Sequence, residues 1–288
     1  MRLHLFIVLG IFLIGFIIGS FVDLNLMKAL FSKDNGFGLT IAAIGTIPGY
    51  AVFAILGGGF FWLFTQNSFK KPVKFIFFIC SIIGLGCGIY FSGKEWFGEN
   101  GFNKENIYWV GFIISLPIMI GFYYLGYFLT KKYNNPRVWI LYAALAIAAF
   151  VALVGGVTLI KAIFHRPRYR IAVYGGLVPF HEWWQRCGNY KDYIPLISDE
   201  EFKSFPSGHT GGALTFLYFA TFVPLFMNRK YQLPMFYAGV AWALFVAFTR
   251  ILVGAHFLSD VSMGGLLSIV CLIIANEVVI KLKVIDQE

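Results

Sequence analysis

The sequence predicts an all-α protein: a polytopic transmembrane helical bundle of about eight spans, with an outer-face loop region between spans five and six. Three observations carry that prediction. Of 288 residues, 59% are hydrophobic and only 13% charged, and the mean hydropathy is +0.75. A water-soluble domain cannot cover that much apolar surface, so the bilayer is part of the solvent. Apolar runs of bilayer-crossing length, about 20 residues, recur at 3–21, 39–65, 73–93, 107–129, 138–160, 209–227, 233–253 and 259–280. Finally, Lys and Arg divide unevenly between alternate connections.

Each element follows in order. The first run, within MRLHLFIVLGIFLIGFIIGSFVD, is too long for a signal-peptide core and lacks a small-x-small cleavage pattern, so it reads as a retained span. The fifth, VWILYAALAIAAFVALVGGVTLI, is the clearest, and the last three carry polar residues at their ends. Connections 66–74, 130–137 and 228–232 hold Lys70, Lys71, Lys74, Lys131, Lys132, Arg137, Arg229 and Lys230 with no acid. Connections 22–38 and 94–106 hold Lys28, Lys33, Lys94 and Lys104 against five acidic residues. The positive-inside rule places the first set in the cytosol. Both termini follow, with Arg2, Lys281 and Lys283, and segments 161–208 and 254–258 fall on the outer face. The net charge of +9 thus has a topological origin and does not call for nucleic acid.

No internal repeat or low-complexity linker is present. The chain divides into residues 1–137, an N-terminal transmembrane region, and 138–288, a core with the chemistry, within one membrane domain. Loop 161–208 carries Trp183, Trp184, Tyr169, Tyr174, Tyr190 and Tyr193, a composition that folds over a membrane surface. Cys80, Cys87 and Cys271 lie within apolar runs and Cys187 in the long loop, with no CxxC pair to suggest a thiolate metal site or disulfide framework.

Three stretches concentrate cations and imidazoles at outer span ends: Lys161 to Arg170, Phe205 to Thr210, and Thr249 to Asp260. The charge argument did not use them, yet it places all three on one face. Ser207 suits the cap of a helix beginning near His209, whose free N–H groups favour an anion. Lys161, Arg168 and Arg250 add charge-assisted donors for phosphate. His256 and Asp260, four apart, share one helical face, so the carboxylate can hold one ring nitrogen protonated and leave the other to attack phosphorus. His209 is the partner imidazole for protonating a leaving oxygen.

These stretches resemble the three signature motifs of the type 2 phosphatidic acid phosphatase superfamily, the lipid phosphate phosphatases: K-x6-R-P, P-S-G-H and S-R-x5-H-x3-D. Lys161 is followed by six residues and Arg168, Pro206 to His209 match the second motif, and Arg250, His256 and Asp260 keep the third spacing. Tyr169 replaces the family Pro and Thr249 the family Ser. The resemblance covers about residues 138–280. It implies a metal-independent reaction without cofactor through a phosphohistidine. His256 is then the nucleophile, Asp260 its orienting partner and His209 the general acid. Lys161, Arg168, Ser207, Gly208 and Arg250 hold the phosphate.

The family core has six spans, so this chain has two extra ahead of the first motif. Expected substrates are lipid phosphates such as phosphatidic acid, phosphatidylglycerol phosphate, undecaprenyl pyrophosphate or lipid A. A small soluble phosphate ester suits the same motifs. The expected setting is a bacterial cell membrane, with the active site on the extracytoplasmic face.

Three other functions fit parts of the pattern. One is phosphoryl or headgroup transfer to an acceptor other than water. Another is a metal-dependent hydrolase with His209, His256 and Asp260 as ligands, which three neighbouring cations oppose. The third is a transporter, although spans two to four carry almost no charge. Inside the first motif, His165 and Arg166 read as solvated, with contact to a headgroup as the alternative; elsewhere, His181 and Glu182 read as the start of a surface helix, with a substrate-binding stretch as the alternative, His4 as interfacial, and Glu277 as reaching water near a cytosolic span end.

Overall fold

The computed structural model describes residues 1–33, 35–96 and 108–282. The charges of the connection 97–106 and Lys283 lie outside the described residues. The helices are α1 (Arg2–Leu30), α2 (Gly36–Ile44), α3 (Ile47–Thr65), α4 (Lys71–Trp96), α5 (Tyr108–Tyr133), α6 (Val138–Phe150), α7 (Leu159–Phe164), α8 (Tyr169–Ala172), α9 (Gly208–Leu214), α10 (Tyr218–Phe226), α11 (Gln232–Leu252) and α12 (Leu258–Lys281). Among the described residues no strand occurs.

Among the described residues, seven helical segments are long and apolar enough to cross a membrane. The sixth expected run, 209–227, is helical but broken. A tight turn at Thr215–Leu217 separates α9 from α10. There the Thr215 hydroxyl donates to the Gly212 carbonyl at 2.6 Å, a local bond that competes with regular helix geometry. The fifth run has its own irregularity. Between α6 and α7, Val151–Thr158 winds as a wide π-helical stretch, a form that tends to occur near functional sites. It delivers Lys161 on α7.

Packing follows burial. α3 is central, with every side chain from Gly49 to Phe60 buried, and it lies against α4 and α5. α1 and α4 instead expose Ile and Phe along much of their length, including Ile7, Ile14, Phe21, Phe75 and Ile82. In water this would be costly; in hydrocarbon it is the expected outer surface. At one end of the bundle Arg2 pairs with Glu277 through two bonds of 2.7 and 2.6 Å, so Glu277 is engaged and not simply hydrated. His4 lies 2.6 Å from the Tyr237 hydroxyl at the same end. The three motif stretches gather at the opposite end.

α12 crosses α9 where Gly264 faces Ser207. A Cβ on Gly264 would overlap the Ser207 carbonyl oxygen. Gly264→Ala is therefore expected to push α12 from the Ser207 turn and cost about 1–3 kcal/mol, the usual range for overpacking. Thermal unfolding in detergent measures it, and an unchanged midpoint would contradict the packing described.

Candidate active site

Ser207 caps α9, accepting the Thr210 N–H at 3.4 Å, while its own N–H donates to the Asp260 carbonyl at 2.9 Å. The second and third motifs are thus tied through backbone. The turn 253–257, with Gly254 at φ +67, a left-handed conformation suited to glycine, brings His256 back over this junction. The rings of His209 and His256 stand 6.2 Å apart.

His256 is 1% exposed. Its Nδ1 lies 2.6 Å from the Ser204 carbonyl oxygen. A carbonyl only accepts, so Nδ1 carries the proton and Nε2 keeps its lone pair. Burial holds this imidazole well below its usual pKa, and Lys161, Arg168, Arg250 and His209 push the same way. The neutral form is therefore favoured.

Asp260 was expected to make the bond to His256 directly. It does not: its Oδ2 stands 3.9 Å from Nδ1. That oxygen instead accepts the Ser204 hydroxyl at 2.5 Å and the Phe257 N–H at 2.8 Å. Oδ1 accepts from Arg166 Nη1 at 2.5 Å. The carboxylate sits at the first turn of α12, where the free N–H of Phe257 captures it, and so it reaches His256 only through Ser204.

Arg166 overturns the expectation of a solvated residue. It is fully buried, bonded to Asp260, Asp23, the Ser259 hydroxyl and the His181 carbonyl, with its guanidinium 4.1 Å over the Phe257 ring. His165, half-buried, ends α7 in a left-handed conformation and stacks on Tyr190 at 3.7 Å. His181 and Glu182 lie in an irregular turn and not a helix, because His181 Nδ1 and Glu182 N–H engage local partners, Pro179 O and Gln185 Oε1.

The cations are arranged unequally. Arg168 pairs with Glu201 at 3.4 Å, and Arg170 takes the same carboxylate. Burial raises the Glu201 pKa, but Arg170 and Arg168 outweigh it and hold the group below its usual range. Lys161 Nζ lies beside Gly208, 3.9 Å from where a Cβ would stand. Arg250 is fully buried, and Nε, Nη1 and Nη2 all lack a hydrogen-bond partner among the described residues. Its charge acts on both imidazoles. Buried guanidinium nitrogens without partners are costly, and a tetrahedral oxyanion has the oxygens to satisfy them.

His209 Nε2 is 3.0 Å from Glu95 Oε2, a distance that becomes an ion pair when the ring is protonated. Glu95, at the end of α4, and Asp23, near the end of α1, were counted from sequence only as connection charges. A signal existed: an acid closing an apolar span is expensive there and so a functional candidate. Ser204 had no comparable signal. Thr249, in place of the family Ser, donates its hydroxyl to the Val246 carbonyl at 2.8 Å. Tyr169, in place of Pro, packs edge-on to Phe257 and Phe31.

A family model described as PAP2 superfamily matches residues 137–283, which contain all three motif stretches. The chain belongs to the PAP2 superfamily. Among PAP2-like relatives, it is 40% identical over 74 residues to a lipid A 1-phosphatase of Rhizobium johnstonii, covering 25% of this chain and 26% of that one. A lipid A 1-phosphatase of Rhizobium etli matches equally over 28% of its length, so the match spans about a quarter of these relatives. Phosphatidylglycerophosphatase B of Haemophilus influenzae is 25% identical over 227 residues, 69% of this chain and 91% of the relative. No solved structure matches.

Proposed function

We propose that this protein is a membrane phosphatase that hydrolyses a lipid phosphate or pyrophosphate monoester at the outer membrane face through a phosphohistidine on His256. One juxtaposition supports the reading most. His256, with its tautomer set by the Ser204 carbonyl, lies 6.2 Å from His209 and within electrostatic reach of Arg250, whose guanidinium has no hydrogen-bond partner among the described residues. Nε2 of His256 attacks phosphorus, and the bond to the leaving oxygen breaks as His209 gives that oxygen a proton. Glu95 steadies the His209 cation before transfer. Arg250, Lys161, Arg168, the Ser207 hydroxyl and the Gly208 N–H neutralise the non-bridging oxygens. Water then displaces His256 from phosphorus, giving its proton to the now neutral His209, and releases inorganic phosphate.

Lipid is favoured because seven helical segments among the described residues are long and apolar enough to cross a membrane, and because relatives are named for lipid A and phosphatidylglycerophosphate. The loop before the second motif also exposes Leu177, Trp184 and Leu196, side chains suited to an interface with lipid. The direct test is phosphate release in excess chelator from phosphatidic acid, phosphatidylglycerol phosphate, undecaprenyl pyrophosphate and lipid A, with glucose 6-phosphate as the soluble comparison. Release from at least one lipid is expected. Activity only after zinc addition would overturn the metal-free mechanism, and phosphate recovered on an added alcohol instead of water would make the protein a transferase.

A further inference from the structure

Asp23 lies on α1, far outside the family-matched residues, yet it is 1% exposed and bonded into the support of the third motif. Its Oδ2 accepts from Arg166 Nη2 at 3.0 Å and from the Ser259 hydroxyl. Its Oδ1 accepts the Ser259 N–H, at the start of α12, at 3.0 Å. Arg166 Nη1 holds Asp260, Asp260 holds the Ser204 hydroxyl, and the Ser204 carbonyl accepts from His256. A continuous chain of bonds therefore runs from the first helix to the imidazole.

The placement is built into α1. Gly15, Gly19 and Asp23 recur every four residues and share one helical face. A Cβ on Gly19 would stand 2.5 Å from the Ser259 nitrogen and one on Gly15 would stand 2.7 Å from the Ser262 hydroxyl oxygen. The two glycines let α1 approach the first turns of α12 closely enough for the carboxylate to arrive. Electrostatics supplies the reason. Arg166 and Asp260 are both buried, at 0% exposure. Without Asp23, Arg166 Nη2 and the Ser259 N–H each lose a buried acceptor, an outcome costly enough to move the guanidinium and what it holds.

We infer that Asp23 is a positioning residue for the reaction, aiming the His256 Nε2 lone pair through Arg166, Asp260 and Ser204. This rests on the proposed role of His256. A displacement of an ångström at a nucleophile, or loss of a buried orienting partner, typically costs about 10- to 100-fold in rate. Substrate grip, which depends on Arg250 and its neighbours, stays in place.

The test is steady-state phosphate release by the full-length protein in detergent, normalised to folded protein by thermal unfolding. Asp23→Asn is expected to lower kcat about 10- to 100-fold, with KM and the inhibition constant of inorganic phosphate within about twofold of wild type. Combined with Ser204→Ala, the losses are expected to be less than multiplicative, since both substitutions cut one route. If Asp23→Asn does not accumulate folded, Asp23→Glu keeps the charge and displaces the carboxylate, and the same kcat loss is expected. Wild-type kcat in the folded variant overturns the inference. So does a parallel rise in KM and in the phosphate inhibition constant, which would make Asp23 part of the general scaffold. His256→Ala run alongside separates the two readings: full activity there removes the nucleophile, and this inference with it, whereas an inactive His256→Ala beside a fully active Asp23→Asn removes the inference alone.

Discussion

His256→Ala is expected to lose about 1,000-fold or more in kcat, because a covalent nucleophile is removed and no neighbouring side chain offers a second lone pair in the same place. The pH dependence sharpens this expectation. A free imidazole titrates near about 6.5. In the folded protein burial, and then the cations Lys161, Arg168 and Arg250, hold His256 well below that value. The neutral form attacks, so activity is retained above the folded pKa and falls only as pH drops through it. The acid limb of the pH–rate profile is therefore expected on the acid side of that of an ordinary histidine.

Stability follows with a fixed sign. Below about pH 6.5 the unfolded chain takes up a proton on this ring that the folded chain refuses, so the unfolded state binds more protons and stability falls as pH falls. His256→Asn lacks the titrating ring and is expected to lose less stability between about pH 6.5 and 5 than wild type. Activity profiles and thermal midpoints over that range measure both effects. A wild-type rate in His256→Ala, or an acid limb centred on the free-imidazole value, would refute the assignment.

The same residue shows what was legible in the sequence and what was not. The spacing of His256 to Asp260 suggested a shared helical face and a direct bond. Neither forms: His256 lies in the turn ahead of α12, Asp260 caps the start of that helix, and the proton on Nδ1 goes to the Ser204 carbonyl. A backbone acceptor leaves no mark in a sequence. Spans were readable because bilayer thickness sets the length of an apolar run; the break at Thr215 was not, since it depends on one hydroxyl choosing a carbonyl.

Motif residues were readable because the spacing within each stretch is short and set locally. Asp23 and Glu95 meet Arg166 and His209 across more than a hundred positions of chain, and nothing local encodes which helices become neighbours. Asp23 on α1 reaches Arg166 and Ser259, and Glu95 on α4 reaches His209, so helices ahead of residue 137 contribute to the geometry of the site.

Arg250 provides the second large effect, and its two consequences have opposite signs. Replacing it with Met keeps length and apolar bulk but removes the charge. With three buried nitrogens that have no hydrogen-bond partner among the described residues, Arg250 has the largest unmet demand for an anion among the described cations. Its loss is expected to lower kcat/KM about 1,000-fold, the scale of an oxyanion donor or transition-state arginine, and to raise the inhibition constant of inorganic phosphate.

Arg250→Lys restores the charge without the planar fork and is expected to recover only part of the loss. In phosphate-free buffer, however, Arg250→Met is expected to be more stable than wild type by about 1–3 kcal/mol. An uncompensated buried charge has gone, and Glu95 and Glu201 act on it only from a distance. Adding phosphate reverses the order. At about 100 times its dissociation constant a ligand stabilises the protein that binds it by about 2.7 kcal/mol, and only wild type has the guanidinium to hold it. Thermal unfolding of the two proteins, with and without phosphate, reads this crossing directly. A structural arginine would show the reverse: Met would destabilise in both buffers, and phosphate would shift both midpoints alike.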